Sequence, residues 1–238
     1  MRKPLLLLLL LMVGFFCTDC TPVQKIPLSD DLLLLKMERG PSRGRYPIYE
    51  MAIYQNKIAE YTGKRYTPKL GTWVRKLNDT EWNQLQNQIK QADLWRQKGF
   101  FRSQSLDLPL VTITQFEQDV SKSVSGKDTR PPEVLLLERS LENIALKEGW
   151  VEKKPFDFGL PKDVMPNQLC IELRPGVYVH NWVYKYGLQN MQILAELPEK
   201  SNYWLVGYDP TVTFPREMEQ LLSYDSQVTK YEFNKIEK

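Results

Sequence analysis

The chain has 238 residues, 42% of them hydrophobic and 26% charged, with 32 Lys and Arg against 29 Asp and Glu for a formal charge of +3. That balance builds a folded core and excludes wholesale disorder, while a charge so small and evenly spread excludes a nucleic-acid footprint. One His and three Cys leave too few ligands for a Cys/His zinc cage, so neither metal nor cofactor is expected.

Arg2 and Lys3 precede an apolar run from Leu5 to Phe16. The charged start and short hydrophobic length are those of a secretory signal over residues 1–16. The run is too short to span a bilayer core as a helix, which takes about 20 residues. Cys17 closes it and Cys20 follows, so the reading is a lipoprotein signal whose acylated Cys becomes the new N-terminus. Cys17 is the expected lipidation site because it borders the run, and Cys20 is the second choice. Phe16 and Asp19 stand where such signals favour a small residue. Ordinary signal-peptidase cleavage and an uncleaved anchor stay open. Residues 17–30 hold two prolines and no periodicity, the composition of a tether.

Folding is expected from Asp31. The apolar stretch 31–39 reads as a buried strand, and 46–54 and 57–63 as a hairpin about Gln55-Asn56, with Asn supplying a left-handed residue. Residues 70–77 give a further strand. Asn78 with Glu81 forms a capping box, and Trp82, Leu85, Ile89 and Ala92 make one helical stripe. Residues 108–116 and 119–126 pair as a second hairpin. Pro131-Pro132 opens a helix whose inward residues are Val134, Leu137, Leu141 and Ile144, with Gly149 ending it. This predicts an α+β domain over 31–150, an antiparallel sheet with two helices.

Residues 151–166, rich in Pro and without periodicity, read as a linker. After it, Leu169, Ile171 and Leu173 alternate as a strand, and Val179, Trp182, Val183 and Tyr186 repeat as a helix. Met191, Ile193 and Ala195 give a second strand and Tyr203 to Tyr208 a third. Pro215 opens a helix presenting Met218, Leu221 and Leu222, and 228–235 is a last strand. The order βαββαβ over 167–238 predicts a ferredoxin-like module, four antiparallel strands with both helices on one face.

The stretch 40–82, with the strand start at Asp107-Leu108-Pro109 and the closing helix into Glu148-Gly149-Trp150, resembles an uncharacterised domain of Gram-negative envelope lipoproteins. It is similar to the domain-of-unknown-function family six-four-three-eight, whose hallmark is Cys-Phe-Gly-x-Cys-Pro-x-Tyr before a hairpin. Gly44, Pro47 and Tyr49 match the hallmark, and Ser42 and Tyr46 replace its two cysteines. The resemblance covers about Leu34 to Trp150. It implies an envelope setting and no activity, and whatever the cysteine pair does is lost here. The C-terminal order loosely resembles propeptide and inhibitor modules of secreted proteases.

His180 is the only imidazole, and no G-x-S-x-G elbow accompanies it, so it reads as a solvated helix flank. Asp157-Phe158-Gly159 lacks the other kinase signatures, and Ser125-Gly126-Lys127-Asp128 lacks the rest of a phosphate loop. Lys64, Arg65, Lys69, Arg75 and Lys76 among Tyr61, Tyr66 and Trp73 read as a solvated strand face. Alternation puts Cys170 opposite Leu169 and Ile171, with Glu172 and Arg174. In the third strand of the module both parities are apolar. Trp204 and Tyr208 are the expected interaction residues, on the helix-free face with Val206. The expected function is that of a membrane-tethered, non-enzymatic envelope lipoprotein binding another protein or polymer, without nucleic acid. A carboxylate-based envelope hydrolase and a protease-inhibiting or chaperone-like module are the alternatives.

Overall fold

The computed structural model describes residues 33–198 and 201–236. The expected signal segment, the tether and both candidate lipidation residues, Cys17 and Cys20, lie outside the described residues. What is described is a mixed α+β chain with two sheets and four α-helices. None of these helices is long and apolar enough to cross a membrane.

The first sheet has eight strands: β1 (Leu33–Arg39), β2 (Ile48–Tyr54), β3 (Ile58–Arg65), β4 (Gly71–Lys76), β5 (Phe100–Phe101), β6 (Val111–Glu117), β7 (Val120–Gly126) and β8 (Val151–Lys154). They lie in the order β5-β7-β6-β1-β2-β3-β4-β8, so the first described strand runs through the interior of the sheet. Met37 stands opposite Met51 on one side and Ile113 on the other, which sets one apolar face in register across three strands. Asn56 Oδ1 accepts from the Ile58 N–H at 3.2 Å in the first hairpin, but the left-handed residue is Lys57 (φ 67°) rather than Asn56.

Helices α1 (Asp79–Ala92) and α2 (Pro132–Leu146) cover that face. Asn78 caps α1 as its sequence predicts: its side chain accepts from the Glu81 N–H at 2.9 Å, and the Glu81 carboxylate accepts from the Asn78 N–H at 3.0 Å. Leu85, Ile89 and Ala92 from α1 meet Val134, Leu137, Leu141 and Ile144 from α2 over Leu35, Met37 and Ile53. The second helix stops at Leu146, three residues before the expected Gly149, which takes φ 86° in the turn that follows. The opposite face is polar. Lys36 pairs with Glu38 at 3.0 Å and Glu50 at 3.3 Å, and Thr114 meets Ser123 at 2.8 Å across β6 and β7.

The head of the segment 151–166, expected as a linker, is strand β8. All four of its side chains are exposed, so main-chain pairing with β4 defines it and no alternation announces it. The second sheet comprises β9 (Val164–Leu173), β10 (Gln192–Glu196), β11 (Tyr203–Gly207) and β12 (Val228–Lys235) in the order β10-β11-β9-β12, every pair antiparallel. Helix α3 (Val179–Val183) runs on into a 3-10 turn through Gln189, and α4 (Pro215–Ser223) precedes β12. Leu169, Ile171, Val179, Trp182, Met218 and Leu222 form this core.

The parity of β11 is the reverse of the expectation. Val206 stands opposite Leu169 and Trp204 opposite Ile171, so both share the helix-covered face. Tyr208, just past the strand, is buried in the same core and donates its hydroxyl to the Pro166 carbonyl at 2.5 Å. Trp204 and Tyr208 therefore do not line the helix-free face. Tyr203 and Leu205 do, opposite Glu172 and Cys170. With apolar residues at both parities, the strand's own pattern could not choose, and pairing with β9 decided it.

Candidate functional site

Of the residues that match the hallmark, Tyr49 lies on β2, an interior strand of the first sheet, Pro47 directly precedes that strand, and Gly44 is on the loop before it. Ser42 and Tyr46, in place of the cysteines, lie on the loop before β2. The Tyr46 ring rests on Gly44, where a Cβ would sit 2.7 Å from its Cε2. Pro47 and Tyr49 line a cleft of about 250 Å³ together with Tyr61, Pro68, Lys69 and Leu146. The rings of Tyr49 and Tyr61 lie 5.0 Å apart, and Tyr61 and Trp150 are 5.9 Å apart. Tilted ring pairs of this kind give a stiff aromatic wall. Burial and then the charge of Glu142 push the Tyr49 hydroxyl well up from its usual range, so it is a neutral donor.

At the cleft floor, Arg39 from the end of β1 places Nη1 against the Glu142 carboxylate and 3.8 Å from that of Glu138. The two glutamates are one turn apart on α2. Arg130, only 2% exposed, holds Glu138 from the far side and donates from Nε and Nη2 to the Lys127 carbonyl at 3.1 and 2.8 Å. A second hollow of about 220 Å³ shares Arg39 and Glu142 and opens toward Lys127 and Arg139. Burial raises the Glu138 carboxyl above the usual range, Arg130 opposes that shift, and the neighbouring Glu142 adds to it.

These charges are matched in place. Two carboxylates, Glu138 and Glu142, are balanced by two guanidiniums, Arg39 and Arg130, an arrangement that fixes β1 to α2 and leaves Arg39 and Glu142 paired in the cleft lining. The cleft can therefore accept a flat or apolar group against its tyrosines and prolines. Lys69, whose Nζ reaches the Ala145 carbonyl at 3.5 Å, supplies a positive rim. Among the described residues no group of three or more His, Cys, Asp and Glu is arranged to hold a metal.

Residues 33–145 match the family model described as "Domain of unknown function (DUF6438)". The match takes in Pro47, Tyr49 and Glu142 of the cleft, with Glu138 behind them. No curated protein matches the chain.

The other residues singled out in the sequence sit outside the cleft or serve as structure. His180 is exposed, its ring tilted against that of Tyr178 with centroids 5.2 Å apart. Asp157 accepts from the Gly159 N–H at 2.8 Å in a turn, while Phe158 packs on Phe214. Lys127 reaches the carbonyls of Ser105 and Leu106. In the basic stretch, Lys64 pairs with Glu50, Arg65 with Glu217 and Arg75 with Glu81. Cys170 directs Sγ toward Asn234 at 4.0 Å, on the helix-free face.

Sequence reading missed Arg39, Arg130, Glu138 and Glu142. One signal was present: at 100° per residue Glu138 falls about 40° beyond Val134, on the flank of the stripe of Val134, Leu137 and Leu141, and a carboxylate beside an apolar stripe needs a partner once buried. Which partner it takes is not written locally, because Arg39 is 103 positions from Glu142.

Proposed function

We propose that this chain is a membrane-tethered, non-enzymatic protein of the cell envelope that binds another envelope protein or polymer through the Tyr49–Tyr61 cleft. Residues 1–16 are its signal, Cys17 its lipid anchor and 17–30 its tether. The observation that carries the reading is the cleft itself: aromatic and Pro-lined walls over a floor whose charged side chains already neutralise one another. Such a surface suits recognition by shape and stacking. The DUF6438 domain occupies about 31–150, and a second unit occupies about 167–238. The strand order β10-β11-β9-β12 and two helices packed into one core support a ferredoxin-like arrangement for that unit.

A photo-crosslinking residue at Pro68, on the exposed rim, tests the binding reading. It should give a discrete adduct in intact cells, and Leu146→Arg, which fills the cleft from a side chain 74% exposed, should abolish it. No adduct, or one indifferent to Leu146→Arg, ends the reading. For the anchor, mass spectrometry of the mature N-terminus should find diacylglycerol on Cys17, and Cys17→Ala should block maturation.

A second reading, a carboxylate-dependent envelope hydrolase, is favoured by the raised carboxyl of Glu138 beside Glu142. The arginines on both carboxylates oppose it. Turnover of purified envelope glycan or peptide that disappears in Glu142→Gln would establish it over the binding reading.

A further inference from the structure

The loop between β3 and β4 belongs to two places at once. On one side Thr67, Pro68 and Lys69 line the cleft, with the Thr67 and Tyr61 hydroxyls bonded to each other. On the other side the Tyr66 N–H donates to the Thr211 carbonyl of the second unit at 3.0 Å. Arg65, the last residue of β3, sets its guanidinium 4.8 Å from the centroids of both Tyr66 and Phe214. Its Nη2 lies 2.7 Å from Glu217, whose carboxylate also accepts from the Phe214 N–H at 3.0 Å ahead of α4. Phe156 and Phe158 complete the seam, 5.4 and 5.9 Å from the Phe214 ring.

This loop is wound tightly and includes a backbone conformation that its own residues do not favour. A Cβ on Gly63 would stand 1.7 Å from the Lys69 carbonyl, so the loop returns against bare backbone. Tyr66 is left-handed (φ 53°), a conformation that a bulky residue keeps only where its surroundings over-determine it. The surroundings that do so come from the second unit: Thr211 fixes the amide of Tyr66, and Arg65, held by Glu217 and Phe214, covers its ring.

We infer that Arg65 and Phe214 are positioning residues for the cleft. Through them the C-terminal unit holds the β3–β4 loop in the shape that forms the Thr67–Lys69 wall, so the cleft is complete only when the two units are docked. The inference rests on reading the cleft as a binding site, and it makes docking and occupancy reciprocal: whatever fills the cleft also strengthens the seam. Arg suits this role better than Lys, because a planar guanidinium stacks on two rings while still pairing with a carboxylate.

The test is amide hydrogen exchange on the full chain in detergent, compared with Arg65→Ala, Arg65→Lys and Phe214→Ala. In the alanine variants the amides of 66, 67, 69 and 70 should exchange at least about tenfold faster, which corresponds to about 1.4 kcal/mol of lost local protection. Exchange in the α2 and β9 cores should stay as in the unaltered chain. Arg65→Lys should fall between, and the crosslink at Pro68 should weaken in the same order. Unchanged protection of the loop in both alanine variants overturns the inference. If Arg65→Ala unfolds the chain, Glu217→Gln, which keeps an acceptor ahead of α4, supplies the comparison. Exchange needs no ligand: a loosened loop with no adduct in the unaltered chain sinks the binding reading alone, and a loop that stays protected sinks the positioning role whatever the adduct does.

Discussion

The first sheet carries helices of 14 and 15 residues, and the second carries helices of 5 and 9. Around the long helices the core is largely aliphatic, and its ends are closed by ion pairs. Glu81 at the start of α1 takes Arg75 of β4 at 2.6 Å and Lys147 beyond α2 at 2.8 Å. Around the short helices the core is more aromatic and gathers on one carboxylate. Asp225 accepts from Trp182 Nε1 and the Tyr186 hydroxyl, both at 2.8 Å, with Lys185 at 3.3 Å. A helix of five residues cannot hold itself together in water. The smaller unit therefore leans on hydrogen-bonded rings where the larger one leans on packed turns.

The hardest blow to that contrast is Trp182→Ala. Trp182 is fully buried, and removing it should cost about 3 to 5 kcal/mol. Calorimetry should then show an early transition from the C-terminal unit, with the transition of the first sheet displaced far less. A single cooperative transition would mean that the two regions unfold together and that the contrast has no thermodynamic content.

Next comes Glu81→Gln, which leaves Arg75 charged and mostly buried, at a cost of about 3 kcal/mol in urea unfolding. Burial alone would raise the Glu81 carboxyl, but bonds from Lys147, Arg75 and the Asn78 N–H outweigh it and hold the group at about 2. Between there and the ordinary 4.5 the unfolded chain binds the extra proton. The contribution of Glu81 is thus complete above pH 4.5 and drains as pH falls toward 2. Asp225 is lowered in the same sense from 3.8. Glu138, raised by burial, runs the other way, its contribution complete below 4.5 and lost as pH rises. Acid unfolding of Glu81→Gln should be flatter than that of the unaltered chain between pH 4.5 and 2, and equal slopes would remove Glu81 from the account.

Asp225→Asn keeps the shape of the aromatic cluster and removes its charge, and it should cost about 1.5 to 2 kcal/mol, confined to the early transition. The smallest change, Asn78→Ala, deletes the cap of α1 and should cost about 1 kcal/mol in the late transition alone. Calorimetry of the two variants side by side would show whether the hub and the cap belong to separable regions.

The features legible in advance are those whose cause is local. Asn78 with Glu81, Pro132 at the start of α2 and Pro215 at the start of α4 each satisfy or remove orphaned N–H groups within one turn, so a few residues are enough to recognise them. Strand β8 escaped because Val151–Lys154 buries nothing, and β5 because two residues carry no pattern. Trp204 and Tyr208 went to the wrong face because a strand apolar on both sides has no preferred side until a neighbour supplies the register. The cleft was half legible. Pro47 and Tyr49 stood out through the hallmark, while Arg39 and the α2 glutamates meet only once the chain has folded back over about a hundred positions.

Strand β1 runs antiparallel to both β2 and β6, with ladders on each of its edges from Leu33–Leu35 to Arg39. Those hydrogen bonds lie across the strand direction. A pull on Leu33 along the strand axis therefore loads two rows of bonds side by side rather than peeling them one at a time. The first described strand is thus braced on both edges against tension applied from its N-terminal end.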